Sequence, residues 1–154
     1  MRRLLTCVYA GVLLASSAFA APNLTGEWKL NLAKSQYGLL PAPIEVTRKI
    51  NFDGRSLSMS THQKTSQREA TSELKYTTDG KPCINKTATG ESTGTARWEG
   101  GTLIIESSQA NGAMEIKSRE AWTLSSDGRT LTILTHLTIP QQGEIDVKQV
   151  FEKQ

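Results

Sequence analysis

The chain has 154 residues, 37% of them hydrophobic and 21% charged, with 12 glycines, five prolines and two cysteines. That length gives one modest domain, and the apolar content supplies a core, which excludes global disorder as well as collagen-like and proline-rich chains. A net charge of +3 with two cysteines excludes a disulfide scaffold and a multi-cysteine zinc module, and leaves no electrostatic footprint for nucleic acid.

The first segment reads as an export signal, residues 1–20. Arg2 and Arg3 form the positive end, Leu4 to Leu14 an apolar run, and Ala18-Phe19-Ala20 the small residues of a cleavage site. The run is too short for a membrane span, which needs about 20 apolar residues. Cys7 lies within the run, which argues against a lipid anchor. Cleavage after Ala20 leaves a domain over 21–154 with 16 basic and 15 acidic residues and one cysteine, Cys83. No internal disulfide can then form, so a periplasmic or secreted domain must rest on its core alone.

The mature chain reads as strands. Gly26 to Leu32 alternates, with Trp28, Leu30 and Leu32 on one face. A short helical turn is expected around Ala33 to Tyr37, ahead of Pro41-Ala42-Pro43. From there eight turn signals recur about 10 to 16 residues apart: Asp53-Gly54, Lys64 to Gln67, Asp79-Gly80, Gly90, Gly100-Gly101, Asn111-Gly112, Asp127-Gly128 and Pro140 to Gly143. Between them Ile44, Val46, Ile50 and Phe52 share a face. So do Leu57 and Met59; Leu74 and Tyr76; Met114, Ile116, Trp122 and Leu124; Leu131, Ile133, Leu137 and Ile139; and Ile145, Val147 and Phe151. The opposite faces are mostly Lys, Glu, Ser and Thr. Asp53-Gly54-Arg55-Ser56-Leu57 is echoed by Asp127-Gly128-Arg129-Thr130-Leu131, which reads as shared hairpin chemistry. The expectation is an all-β fold, an antiparallel up-and-down β-barrel of eight to ten strands. Its polar outer face is unlike that of an outer-membrane barrel.

Leu24-Thr25-Gly26-Glu27-Trp28 carries a Gly-x-Trp on the first strand and resembles the first motif of lipocalins and related calycin barrels. With Tyr76-Thr77-Thr78-Asp79-Gly80 and Arg119 to Thr132, the chain is similar to exported bacterial lipocalin-like proteins. The resemblance implies a barrel open at one end that holds a small hydrophobic or amphipathic molecule. It also implies that Gly26 and Trp28 are structural, with Trp28 under a late basic residue. Lys148 and Lys153 are the candidates on the last strand. Ten strands would place the fold nearer the fatty-acid-binding branch, whose two-helix lid has no room in the dozen or so residues before the second strand.

Three polar residues interrupt inward faces: Arg48, Glu120 and Gln149. A buried charge must be paired or solvated. Arg48 and Gln149 could hold a ligand's carboxylate or other polar head inside a cavity; the alternatives are an Arg48–Glu120 ion pair, or a bulge that turns Arg48 outward. Tyr76, Trp98 and Trp122 could line the same cavity or pack in the core. His62 and His136 fall on the outer parity, so no metal site is expected. Cys83 reads as a small buried hydrophobe. No Gly-x-Ser-x-Gly elbow, phosphate loop or dinucleotide fingerprint occurs, so neither a cofactor nor a catalytic constellation is expected. Asn23-Leu24-Thr25 and Asn85-Lys86-Thr87 fit a glycosylation pattern by coincidence. The reading is an exported, non-catalytic binder or carrier. The alternative is a filled barrel that binds another envelope protein, with a small barrel enzyme as a third.

Overall fold

The computed structural model describes residues 20–154. The expected export signal lies outside the described residues, Ala20 apart. Ten antiparallel strands follow one another: β1 (Gly26–Leu30), β2 (Glu45–Phe52), β3 (Ser56–Lys64), β4 (Glu69–Thr77), β5 (Cys83–Thr87), β6 (Gly90–Glu99), β7 (Thr102–Asn111), β8 (Met114–Leu124), β9 (Thr130–Ile139) and β10 (Gly143–Lys153). Each of the eight turn signals falls at or between two consecutive strands from β2 to β10. In the repeated Asp-Gly-Arg turns the aspartate acts as the brace. Asp53 Oδ1 accepts from the backbone N–H of Arg55 and Ser56, and Asp127 Oδ1 from that of Arg129. These are Asx turns, which a side-chain carboxylate builds two or three residues ahead of itself.

β1 stops at Leu30, two residues short of the expected end. Asn31 caps a 3-10 turn, Leu32–Lys34, accepting from the Lys34 N–H at 3.2 Å. The chain then returns to the sheet, where Gln36 and Lys148 exchange backbone hydrogen bonds of 2.7 and 2.8 Å. So the strip that begins as β1 continues past the turn along β10. No helical lid stands between β1 and β2 among the described residues.

The sheet order is β4-β3-β2-β1-β10-β9-β8-β7-β6-β5, an up-and-down sheet curled until its two edges face each other. The closed end is apolar and filled by Leu24, Trp28, Leu57, Leu103, Trp122, Leu131 and Phe151, all essentially inaccessible to solvent. Trp28 Nε1 donates to the Leu24 carbonyl at 3.0 Å, and Lys153 Nζ stands 5.4 Å from the Trp28 ring centroid. Lys153 is therefore the late basic residue over the tryptophan, and Lys148 points to solvent. The stem of Lys153 also explains Gly26. A Cβ there would lie 2.6 Å from Lys153 Cε, and the φ of +152° is one that side chains rarely adopt.

Three residues depart from the expected inward faces, the first being Leu32, 42% exposed in the 3-10 turn beyond β1. Ile44 precedes β2 and is 54% exposed, and Met114, beside the β7–β8 turn, is 40% exposed. Both sit at strand ends beside a connection, where alternation no longer decides the environment.

Among the described residues no ladder joins β4 to β5. A side chain does the work instead. Asn85 Oδ1 accepts from the Lys75 N–H at 2.7 Å, and its Nδ2 donates to the Lys75 carbonyl at 3.1 Å. One amide thus answers both backbone groups of one residue, as a facing peptide unit would. Asn85 is only 6% exposed, so its glycosylation pattern is not available to an enzyme. Two residues along, the Thr77 N–H donates to Cys83 Sγ at 3.4 Å. Cys83 is half-buried, packs against the core and also serves as a weak acceptor at this seam. Asn85→Ala should lower stability to urea by about 1–3 kcal/mol through the two groups it orphans. It should also speed hydrogen exchange at the Lys75 amide; unchanged protection there would show that the seam does not depend on Asn85.

Candidate functional site

Arg48 lies on β2 between the inward residues Val46 and Ile50, opposite Trp28 on β1 and Thr61 on β3. Its guanidinium reaches over the apolar floor. The Cζ is 5.1 Å from the Trp122 ring centroid and 5.0 Å from that of Phe151. Two aromatic faces attract the cation, and more so where water is absent. Nε donates to Thr61 Oγ1 at 3.0 Å, while Nη1 is buried and has no partner. Burial lowers the affinity of Arg48 for its proton, and the charges of Glu120 and Tyr37 oppose that.

Arg48 does not turn outward, and no carboxylate pairs with it within 4.0 Å among the described residues. Glu120 is engaged elsewhere, accepting from Trp122 Nε1 at 2.7 Å. The two residues share the inward face of β8, and a buried indole N–H needs an acceptor. Glu120 therefore acts on Arg48 through space. Gln149, on β10, donates to the Tyr37 hydroxyl at 3.0 Å. Tyr37 comes from the strip that continues β1, and burial pushes its phenol up while the Gln149 bond and the Arg48 charge pull it down.

So Arg48, Glu120, Trp122 and Gln149 belong to one neighbourhood, to which Thr61 and Tyr37 must be added. Thr61 was available from parity on β3. Tyr37 carried no such signal, because it follows the 3-10 turn. Tyr76, on β4, contributes to the floor of the hollow above, and burial and then the Glu120 charge push its phenol up to about 12. Trp98 stands apart at the closed end, where it packs against Phe52 with ring centroids 5.8 Å apart.

The upper half of the barrel contains a hollow of about 460 Å³ against β3 to β8. Thr61, Ser72, Ser92, Ser107, Gln109 and Ser118 face it, and Glu120 and Tyr76 lie below them. It opens where β4 and the β5–β6 hairpin diverge above Asn85, with Thr71, Glu73 and Lys86 at the mouth. A depression of about 430 Å³ lies on the outer face over β6 to β9. Its charged residues are exposed and already paired, Arg119 with Glu106 and His136 with Asp146. His62 is likewise outside, against Glu69. Among the described residues no three His, Cys, Asp or Glu side chains converge as metal ligands. Arg48 does not itself line the hollow. It lies buried behind Thr61, whose Oγ1 it donates to and which does face the hollow, with Glu120 beside them, so its guanidinium could take an oxygen anion that reached past Thr61.

Neither a known protein family nor a curated protein matches the chain. Solved structures do match its fold. The zebrafish ileal bile acid-binding protein, complexed with cholic acid, superposes with a TM-score of 0.61 at 15% identity, covering 84% of this chain and 98% of that one. A heat-soluble (SAHS) protein of Ramazzottius varieornatus gives 0.60 at 12%, covering 88% and 98%. A Schistosoma mansoni fatty acid binding protein in complex with arachidonic acid gives 0.53 at 13%, also covering 88% and 98%. The shared feature is the all-β, ten-stranded, nearly closed up-and-down barrel of fatty-acid-binding and lipocalin-like proteins.

Tyr37 and Tyr76 are the tyrosines of the domain, and both are raised in the folded state. Below the unfolded value of about 10 they are protonated in both states and stability is unaffected. Above it the unfolded chain releases those protons first, so stability should fall as pH rises from about 10 through about 12. Phenolate absorbance should show Tyr76 ionising near its raised value or on unfolding. Ionisation of both phenols near 10 with the fold intact would contradict the buried site.

Proposed function

We propose that the chain is an exported, non-catalytic binder of a small amphipathic molecule, held inside the barrel with its anionic end at Arg48. The single observation behind this reading is the unpartnered Nη1 of a buried guanidinium that already rests on two aromatic rings. Leaving a charged donor unsatisfied costs more than leaving a neutral one, so the site gains most from a ligand oxygen. A hollow of about 460 Å³ distinguishes this reading from a filled barrel that works only through its outer surface. The bile-acid and fatty-acid barrels of the same fold were solved with carboxylates bound, which agrees with an acid as ligand.

Arg48→Met removes the charge and keeps an apolar stem of similar length. Replacing a poorly compensated buried ion with a hydrophobe is often neutral or stabilising. The variant should therefore match or exceed the parent in urea, within about 1 kcal/mol of loss, while binding fails. Native mass spectrometry of protein purified from its host envelope should show an adduct on the parent that denaturation releases and Arg48→Met lacks. Equal adduct occupancy on both proteins would overturn the assignment of Arg48.

Export rests on Arg2-Arg3, the apolar run and Ala18-Phe19-Ala20. The same intact mass should correspond to a chain that begins at Ala21. A full-length chain recovered from the cytosol would overturn export without touching the barrel.

A further inference from the structure

The wall of the hollow is unlike the floor beneath it. Along β6 the inward residues run Trp98, Ala96, Gly94, Ser92, and along β7 they run Leu103, Ile105, Ser107, Gln109. β8 runs from Leu124 and Trp122 to Glu120 and Ser118, and β3 from Leu57 and Met59 to Thr61. On these strands polar groups follow the apolar floor: Ser92 on β6 past Gly94, Ser107 and Gln109 on β7, Glu120 and Ser118 on β8 before Ile116, and Thr61 on β3.

Those groups are not used up by one another. Ser107 Oγ and Ser118 Oγ share one hydrogen bond of 2.9 Å, which leaves one of their two O–H groups free. Thr61 Oγ1 accepts from Arg48, so its own hydrogen remains to be given. Ser72 and Ser92 have no side-chain hydrogen bond among the described residues, although Ser92 is buried. An alkyl chain laid along this wall would take water from these hydroxyls and return nothing. Each hydroxyl so stripped cancels the gain from burying roughly one to four methylene groups. A ligand with hydroxyls of its own replaces the lost water bonds and also chooses its orientation.

Resting on the carrier reading above, we propose that the molecule this barrel takes is a polyhydroxylated acid, with its carboxylate at Arg48 and its hydroxyls against the β3–β8 wall. Plain alkyl acids are then poor ligands.

The test uses a matched pair, cholate and cholanate, the latter being the same steroid acid without hydroxyls, with laurate as the alkyl acid. All are titrated into the mature protein below their micelle concentrations and followed by tryptophan fluorescence and calorimetry. Cholate should bind at least about tenfold more tightly than cholanate or laurate, since sites built to hydrogen-bond a hydroxyl discriminate strongly against its absence. The Ser107→Ala/Ser118→Ala pair should erase most of that preference while cholanate affinity stays the same. If the pair fails to fold, Ser72→Ala on the edge strand should cost cholate, and not cholanate, roughly threefold to tenfold. Cholanate or laurate binding as tightly as cholate overturns the proposal and leaves the carrier reading standing, and Arg48→Met should then weaken all three acids alike. Absence of binding by all three acids overturns both.

Discussion

An antiparallel sheet of ten strands that curls on itself has two edges to dispose of, and this barrel disposes of them with one amide. Asn85 presents a donor and an acceptor at the spacing of a peptide group and so answers both backbone groups of Lys75. Cys83 continues the contact weakly at Thr77. Below that point the interior is filled by apolar side chains. Above it the edges part, and the hollow communicates with solvent through the gap. The position of one side chain along β5 thus decides how much of the barrel is wall and how much is doorway.

The interior divides at the same height. Beneath Arg48 the space is taken by large apolar side chains, with Leu24 closing the end and Lys153 covering Trp28. Above it the inward positions of β3 to β8 are mostly polar, with Ala70 and Ile116 among the exceptions. Arg48 is bonded once, stacked twice and unsatisfied at Nη1, a placement that packing for stability alone would not favour. Apolar packing is lodged in the floor, and polar inward groups in the chamber over it.

Much of this was legible in the residues. Turn dipeptides located five of the hairpins, because glycine with aspartate or asparagine at a tight turn answers to local geometry, and the weaker signals at Lys64 to Gln67, Gly90 and Pro140 to Gly143 located the other three. Alternation identified the core and put Arg48, Glu120 and Gln149 inside. What alternation cannot give is the partner of an inward polar group. Alternation leaves an Arg48–Glu120 ion pair open as one alternative, yet Glu120 is bound to the indole of Trp122, two residues away on the same strand. Tyr37 escaped notice because its place depends on how the chain returns from a 3-10 turn. Asn85 shows in the sequence only as a glycosylation pattern, since a side chain standing in for a peptide group has no periodicity to betray it. Ile44 failed in the other direction, being apolar in phase but beyond the last opposing residue.

The strand order contains a further property. Read from β5 round to β4 it is the chain order itself, shifted in a circle, with β1 joined to β10 at the start of the cycle. The C-terminal Gln154 N–H is bonded to the Glu27 carbonyl at 2.9 Å, so the beginning and end of the domain lie side by side. A circular permutant, with those ends linked and a new start opened between Asp79 and Pro82, would keep every ladder and make every one of them a contact between consecutive strands. Its two new termini would flank the seam that Asn85 closes. Tags or probes attached there would then report directly on the opening of the barrel.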